Sequence, residues 1–165
     1  MIEHLHNLVR RCARSGLLLD TNLLLLYVIG RSDPDQIGKG RVAIFARSDL
    51  TVLEQFMAHF HHHLTTPNVL TEINSFLGQL SGNLRERCRE QLRSDIEILA
   101  EQHVDSRRAS QQDAFLRFGL TDCGIHLLAM NACLVLTDDF ALSQYLDSKG
   151  LAALNFHHIR LAGMS

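Results

Sequence analysis

Acidic residues stand at four places in this sequence where an acid could do chemistry, and at one of them the acid is doubled. LLLD, residues 17–20, is a continuous apolar run that ends in Asp20, and LVLTDD, residues 134–139, ends in Asp138 and Asp139. Short apolar runs of this kind read as buried parallel strands. In open α/β sheets, ligands gather outside the carboxyl ends of such strands. Glu72 in PNVLTEI and Asp122 in GLTDCGI fall in the first turns of helices that should follow the same sheet edge. Converging carboxylates repel one another, and holding them together is costly without a cation. An all-oxygen set suits Mg²⁺ or Mn²⁺, not zinc. Each acid alone has a plainer reading as a helix cap. The set, in this order and on these elements, is what points to a metal.

The elements that must position these acids follow from periodicity. Residues 2–14 place Ile2, Leu5, Leu8, Val9 and Cys12 at helical spacing, and Gly16 closes that segment. Thr21 and Asn22 start an apolar helix, Leu23–Ile29, that runs up to Gly30. RSDPDQIGKG is a loop, and helical spacing resumes over 42–47 and 51–63. LTTPNVL reads as a short strand turning into a helix over about 69–80, with Pro67 and Asn68 near its start. Ser81-Gly82-Asn83 breaks the chain before an arginine-rich helix over 84–100. A helix over 109–118 ends at Gly119, and Thr121 caps another that reaches Met130. Strands over 133–137 and 152–156 flank a helix near 140–149. Strands alternating with helices predict an α/β fold with a central parallel sheet covered on both faces.

Composition bounds the answer. The 165 residues suit one domain spanning 1–165, and 46% hydrophobic with 21% charged residues is ordinary for a soluble globular chain. A net charge of -2 gives no basic footprint of the kind that grips duplex nucleic acid. Cys12, Cys88, Cys123 and Cys133 show no C-x-x-C spacing and read as buried free thiols. Arg10, Arg11 and Arg14 precede an apolar run like a signal peptide, but Asp20, Thr21 and Asn22 interrupt that run. The expectation is a cytoplasmic protein that does not enter a membrane.

LLLDTNLLL, PNVLTEI, FGLTDCGIHLLA and LVLTDDFAL together resemble the PIN-domain family, from about Leu17 to Phe156. The resemblance implies a three-layer α/β/α sandwich and a metal-dependent endoribonuclease. It assigns Asp20, Glu72, Asp122 and Asp138 to the site's four acids. Asp20, Asp122 and Asp138 would hold Mg²⁺ or Mn²⁺ directly, and Glu72 would act through water. Asp139 competes with Asp138 for the principal place; Asp138 is favoured, with Asp139 as a further or outer ligand. Thr21 and Asn22 match the small polar positions after the first acid. Asn22 would orient ligands or a metal-bound water, and Thr137 could hydrogen-bond a scissile phosphate or a metal-bound water. Family cleavage leaves a 5′-phosphate and a 3′-hydroxyl. The Asp20–Glu72 spacing is longer than in compact toxins of the family. The implied role is the toxin of a toxin–antitoxin pair, similar to the VapC group, with RNA as substrate, an antitoxin over the site and a homodimer. An RNA-processing or maturation nuclease of the same fold is the alternative. A PIN-like binding module that has lost catalysis is a third, although all four acid positions are filled.

Other features carry blander readings beside sharper ones. His59, His61, His62 and His63 fall on a predicted helix, with His59 and His63 four apart, but without zinc-type companions they read as a solvated face. His157 and His158 read the same way. Arg85, Arg87, Arg89 and Arg93, followed by Arg107 and Arg108, form the candidate RNA-binding patch. Interleaved Glu86, Glu90, Asp95 and Glu97 give that helix an equal reading as a salt-bridged surface. Phe115 and Phe118, close to Asp122, have core spacing.

Overall fold

The computed structural model describes residues 2–162; residues 1 and 163–165 of the expected domain lie outside the described residues. The chain begins with α1 (Ile2–Cys12), β1 (Leu17–Leu19), α2 (Thr21–Ser32), α3 (Arg47–Met57), β2 (His63–Thr65), α4 (Pro67–Gly78) and α5 (Gly82–Ile96). It continues with β3 (Ala100–Glu101), α6 (Ser106–Ser110), α7 (Phe115–Ala129), β4 (Leu134–Thr137), α8 (Phe140–Ser148), β5 (Ala153–Asn155) and α9 (Phe156–Ala162).

The strands form a five-stranded parallel sheet in the order β3-β2-β1-β4-β5. The molecule is thus α/β, with helices covering the sheet in three layers as expected. β1 and β4 lie at the centre, where both faces are covered, and this is why LLL and LVL carry no polar alternation. From β1 the chain steps outward through β2 to β3, then returns across the sheet to β4 and β5. Right-handed crossovers therefore lay α2–α5 on one face and α6–α8 on the other. The direction reverses between β1 and β4, so a crevice opens beyond the carboxyl ends of these two strands. Leu19 pairs with Leu136, and the Asp20 amide donates to the Leu136 carbonyl at 3.0 Å. Both acid-terminated strands deliver their acids to one edge.

Several elements differ from the sequence expectation, each for a packing reason. α2 continues past Gly30 to Ser32, because Leu50 and Ile37 close over that glycine and a Cβ there would lie 2.9–3.0 Å from their methyl carbons. A short 3-10 segment, Gly40–Val42, and a turn and loop over 43–46 stand in place of the expected helix, and α3 begins at Arg47. The helix expected to reach residue 63 stops at Met57, and His63 pairs with Leu17 in the sheet. His59 to His63 therefore share no helical face, and His63 contacts the Met57 carbonyl through Nε2 at 2.9 Å. α5 ends at Ile96, and the edge strand β3 and the last helix α9 were not anticipated. The helix expected over 109–118 is interrupted by turns at 111–114. Gly119 does break α7, with φ 80° and ψ -172°, and the helical segment carrying Asp122 starts afresh after it.

Phe115 and Phe118 are partly buried against a small satellite cluster of Ala109, Ala114 and Cys123. All four cysteines are buried and free. His157 and His158 are exposed on α9. Among the described residues, no helix is long and apolar enough to cross a membrane.

Gly16 makes the turn into β1 with φ +109°, and a Cβ there would come 3.0 Å from the His62 carbonyl oxygen. That carbonyl accepts the Leu17 amide at 2.9 Å, so it cannot move away freely. Gly16→Ala is expected to destabilise the fold by about 2 kcal/mol. The shift of the urea midpoint measures it, and an unchanged midpoint would show that the turn relaxes without cost.

Candidate active site

Asp20 follows β1 and caps α2. Its Oδ1 accepts from the Leu23 amide at 2.8 Å, so the ordinary cap role is real. Its Oδ2 also accepts from the Thr137 hydroxyl and from the Asp138 amide, the latter at 3.0 Å. Only 5% of Asp20 is exposed. Burial, and then the charge of Asp138, push its carboxyl well above the usual carboxylate range despite these donors.

Glu72, one turn into α4, is clamped from both sides. Thr21 Oγ1 donates to one carboxylate oxygen at 2.9 Å and Thr121 Oγ1 to the other at 2.6 Å. Each threonine precedes or follows a site Asp directly, so Glu72 ties the start of α2 to α7. α4 is aimed by Thr66, whose hydroxyl accepts from the Val69 amide at 3.3 Å, and by Pro67 in the first turn.

Asp122 has a different environment. Among the described residues its carboxylate accepts no hydrogen bond. It is pushed up to about 6, first by burial and then by the charges of Glu72 and Asp139. An ordinary helix cap would accept amide hydrogens and move the other way.

The Asp138–Asp139 pair divides its work. Asn22 Nδ2 donates to Asp138 Oδ1 at 3.1 Å, while Asn155 Nδ2 reaches the Asp138 carbonyl at 3.3 Å. Asp139 caps α8 through Oδ1, accepting from the Ala141 and Leu142 amides at 2.7 and 3.0 Å. Asp20, Thr21, Asn22, Glu72, Asp122 and Asp139 line a cleft of about 150 Å³, whereas Asp138 does not border it. Asp139 borders the cleft while Asp138 stands against Asp20 and Asn22, so both acids of the pair are at the site. Thr137 needs a correction. It is fully buried, donates to Asp20 and accepts the Asp139 amide at 2.9 Å, so its hydroxyl orients two acids and faces no phosphate.

Among the described residues, no group of three or more His, Cys, Asp or Glu side chains stands placed to hold a metal ion. The hydrogen bonds explain why: Asp20, Glu72 and Asp139 spend oxygens on hydroxyls and amides. Each such oxygen retains a second lone pair. Burial and then Asp138 raise the Asp20 carboxyl, and burial and then Glu72 and Asp139 raise that of Asp122, so negative charge is concentrated at the cleft. Only the donor chemistry, carboxylate oxygens, is of the type a hard cation such as Mg²⁺ takes, and such an ion would have to keep several waters here.

The arginines singled out in the sequence lie elsewhere. Arg93 pairs with Glu90 at 2.5 Å, as the salt-bridged reading of α5 expects, while Arg87 reaches off the helix to Asp33 at 2.8 Å. Arg108 lines a separate cleft of about 280 Å³ with Gln102, His103 and Asn131. None of Arg85, Arg89, Arg93, Arg107 or Arg108 borders the acid cleft. Arg41 does, and nothing in its local sequence marked it. Thr121 and Asn155 were also missed as holders of Glu72 and Asp138; the repeated Thr-Asp and Asp-Thr adjacency was the available signal for the first. Compared with models of known protein families and with curated proteins, the sequence matches none.

Proposed function

We propose that the chain is a metal-dependent endoribonuclease that hydrolyses phosphodiester bonds of RNA at the cleft beyond β1 and β4. The observation that carries this reading is the convergence of Asp20, Glu72, Asp122 and Asp139 on one cleft at the sheet's reversal point, with burial and mutual repulsion raising two of them. Asp20, Asp122 and Asp139 would hold Mg²⁺ or Mn²⁺. Asp138, beside Asp20, would be a further ligand, and Glu72 would reach the ion through water. A divalent ion bound there supplies positive charge to the phosphate and makes water more acidic. The chain's own residues fix the acids: Thr137 and the Asp138 amide orient Asp20, two threonine hydroxyls hold Glu72, and Asn22 restrains Asp138. Glu72 would accept a proton from the attacking water.

A toxin role, with an antitoxin covering the cleft and pairing of two copies, belongs to the same proposal and rests on the resemblance. Its test is growth arrest on expression of the wild type but not of Asp20→Asn.

The chemistry is tested on a mixed pool of single-stranded RNA, with single-stranded DNA as a parallel arm. Excess chelator is expected to abolish cleavage of RNA, and Mg²⁺ or Mn²⁺ to restore it. Activity that survives chelation would point to a metal-independent ribonuclease and overturn the mechanism.

A further inference from the structure

Arg41 is the basic side chain that borders the acid cleft. Its guanidinium carbon lies 3.8 Å from the centroid of the Phe76 ring, a close cation–π contact. Phe76 follows Glu72 by four residues on α4, so both project from one helix face into the same cleft. The Arg41 backbone is held in a tight turn: the Val42 amide donates to Lys39 at 3.0 Å, the Gly38 amide donates to Val42 at 3.1 Å, and Val42 is buried.

An arginine beside several carboxylates would ordinarily pair with one of them. Asp20, Glu72 and Asp138 spend oxygens on threonine hydroxyls, asparagine and backbone amides, Asp122 spends none, and Arg41 forms no ion pair with any of them among the described residues. The ring holds the guanidinium away from collapse onto the acids while leaving its donor edge free. Stacking on an aromatic face and offering a planar fork of donors are compatible for arginine and not for lysine. The fork matches the non-bridging oxygens of a phosphodiester.

We propose that Arg41, braced on Phe76, is the arm that grips a phosphate of the substrate at the acid cleft, with Phe76 as its positioning residue. The proposal rests on the nuclease reading and adds to it the group that brings an anion to an otherwise repulsive site. It also accounts for a chain of net charge -2 that needs no basic face: one placed cation does locally what a patch would do broadly.

Binding separates this from activity. A fluorescent single-stranded RNA is titrated, at several KCl concentrations with Mg²⁺, into the full chain carrying Asp20→Asn so that no cutting interferes. Adding Arg41→Ala is expected to weaken binding roughly tenfold. The slope of log affinity against log salt should fall by about 0.7, the value for one phosphate contact on a single strand. Arg41→Lys should keep the slope and lose part of the affinity. Phe76→Leu should weaken binding, and Phe76→Tyr should restore it. Urea midpoints of all variants check that the exposed Arg41 position does not affect folding. An Arg41→Ala chain with unchanged affinity and salt slope would overturn the arm while leaving the nuclease reading in place. A wild-type chain that neither binds nor cuts RNA in Mg²⁺ would overturn both.

Discussion

Asp20→Asn is expected to reduce RNA cleavage by on the order of 10³-fold while changing folding stability by less than about 1 kcal/mol. The two effects separate because Asp20 has two jobs. As the cap of α2 it needs one oxygen to accept the Leu23 amide, and asparagine supplies that oxygen. As a site acid it needs the second oxygen and a full negative charge, and asparagine supplies neither. Stability has opposing parts. Removing a buried charge held beside Asp138 relieves repulsion, whereas the amide NH₂ would face the Asp138 N–H, which now donates to Asp20 Oδ2 at 3.0 Å. Loss of that bond costs about 1 kcal/mol, which offsets much of the relief. Thermal melts in chelator and in Mg²⁺, beside cleavage assays, check the result. The wild type should gain stability from the metal by mass action, and the variant should gain less. A variant that cuts normally would reduce Asp20 to a cap.

Asp122→Asn is expected to do what Asp20→Asn cannot: raise stability in metal-free buffer by on the order of 2 kcal/mol above pH 6, while also removing cleavage. Asp122 accepts no hydrogen bond that asparagine would forfeit, and its carboxyl is pushed up to about 6 by burial, Glu72 and Asp139. The folded protein thus holds this proton more tightly than the unfolded chain, whose carboxyl titrates near 4. Metal-free stability should therefore fall as pH rises from about 4 to about 6 and level off beyond. This is the reverse of a salt-bridged aspartate. Urea unfolding in chelator across pH 4.5–7.5 tests the sign: the wild type should lose stability over that range, and Asp122→Asn should lose much less. A wild type whose stability rises through this window, with Asp122→Asn unchanged, would show that Asp122 carries no repulsive strain. Mg²⁺ should flatten the wild-type dependence, since an ion held by the carboxylate favours its charged form.

The sequence by itself determined the centre of this molecule. LLLD and LVLTDD are unbroken apolar runs because β1 and β4 are covered on both faces, and such runs are legible without knowing what covers them. Alternating strands and helices gave the parallel sheet, and strand-end acids with helix-start acids gave the set that lines the cleft, apart from the choice within the Asp138–Asp139 pair. Elements held by weak local signals were not legible. β3 has two residues, and its pairing comes from β2. The histidine segment reads as helix because Phe56 and Phe60 are four apart, yet their rings meet across the helix end, at 5.5 Å between centroids, while His63 is drawn into the sheet. Only the tertiary structure decided which acid faces the cleft. Successive residues point apart: the start of α8 holds Asp139 locally, while Asn22 and Asn155, from other parts of the chain, hold Asp138. The same holds for Thr137, which turned out to hold Asp20, and for Arg41. Arg41 lies in a loop of unremarkable composition and acquires a role only because α4 sets Phe76 beneath it. Periodicity encodes which face of an element is buried; side-chain hydrogen bonds across 49 to 118 residues of sequence leave no periodic trace to read.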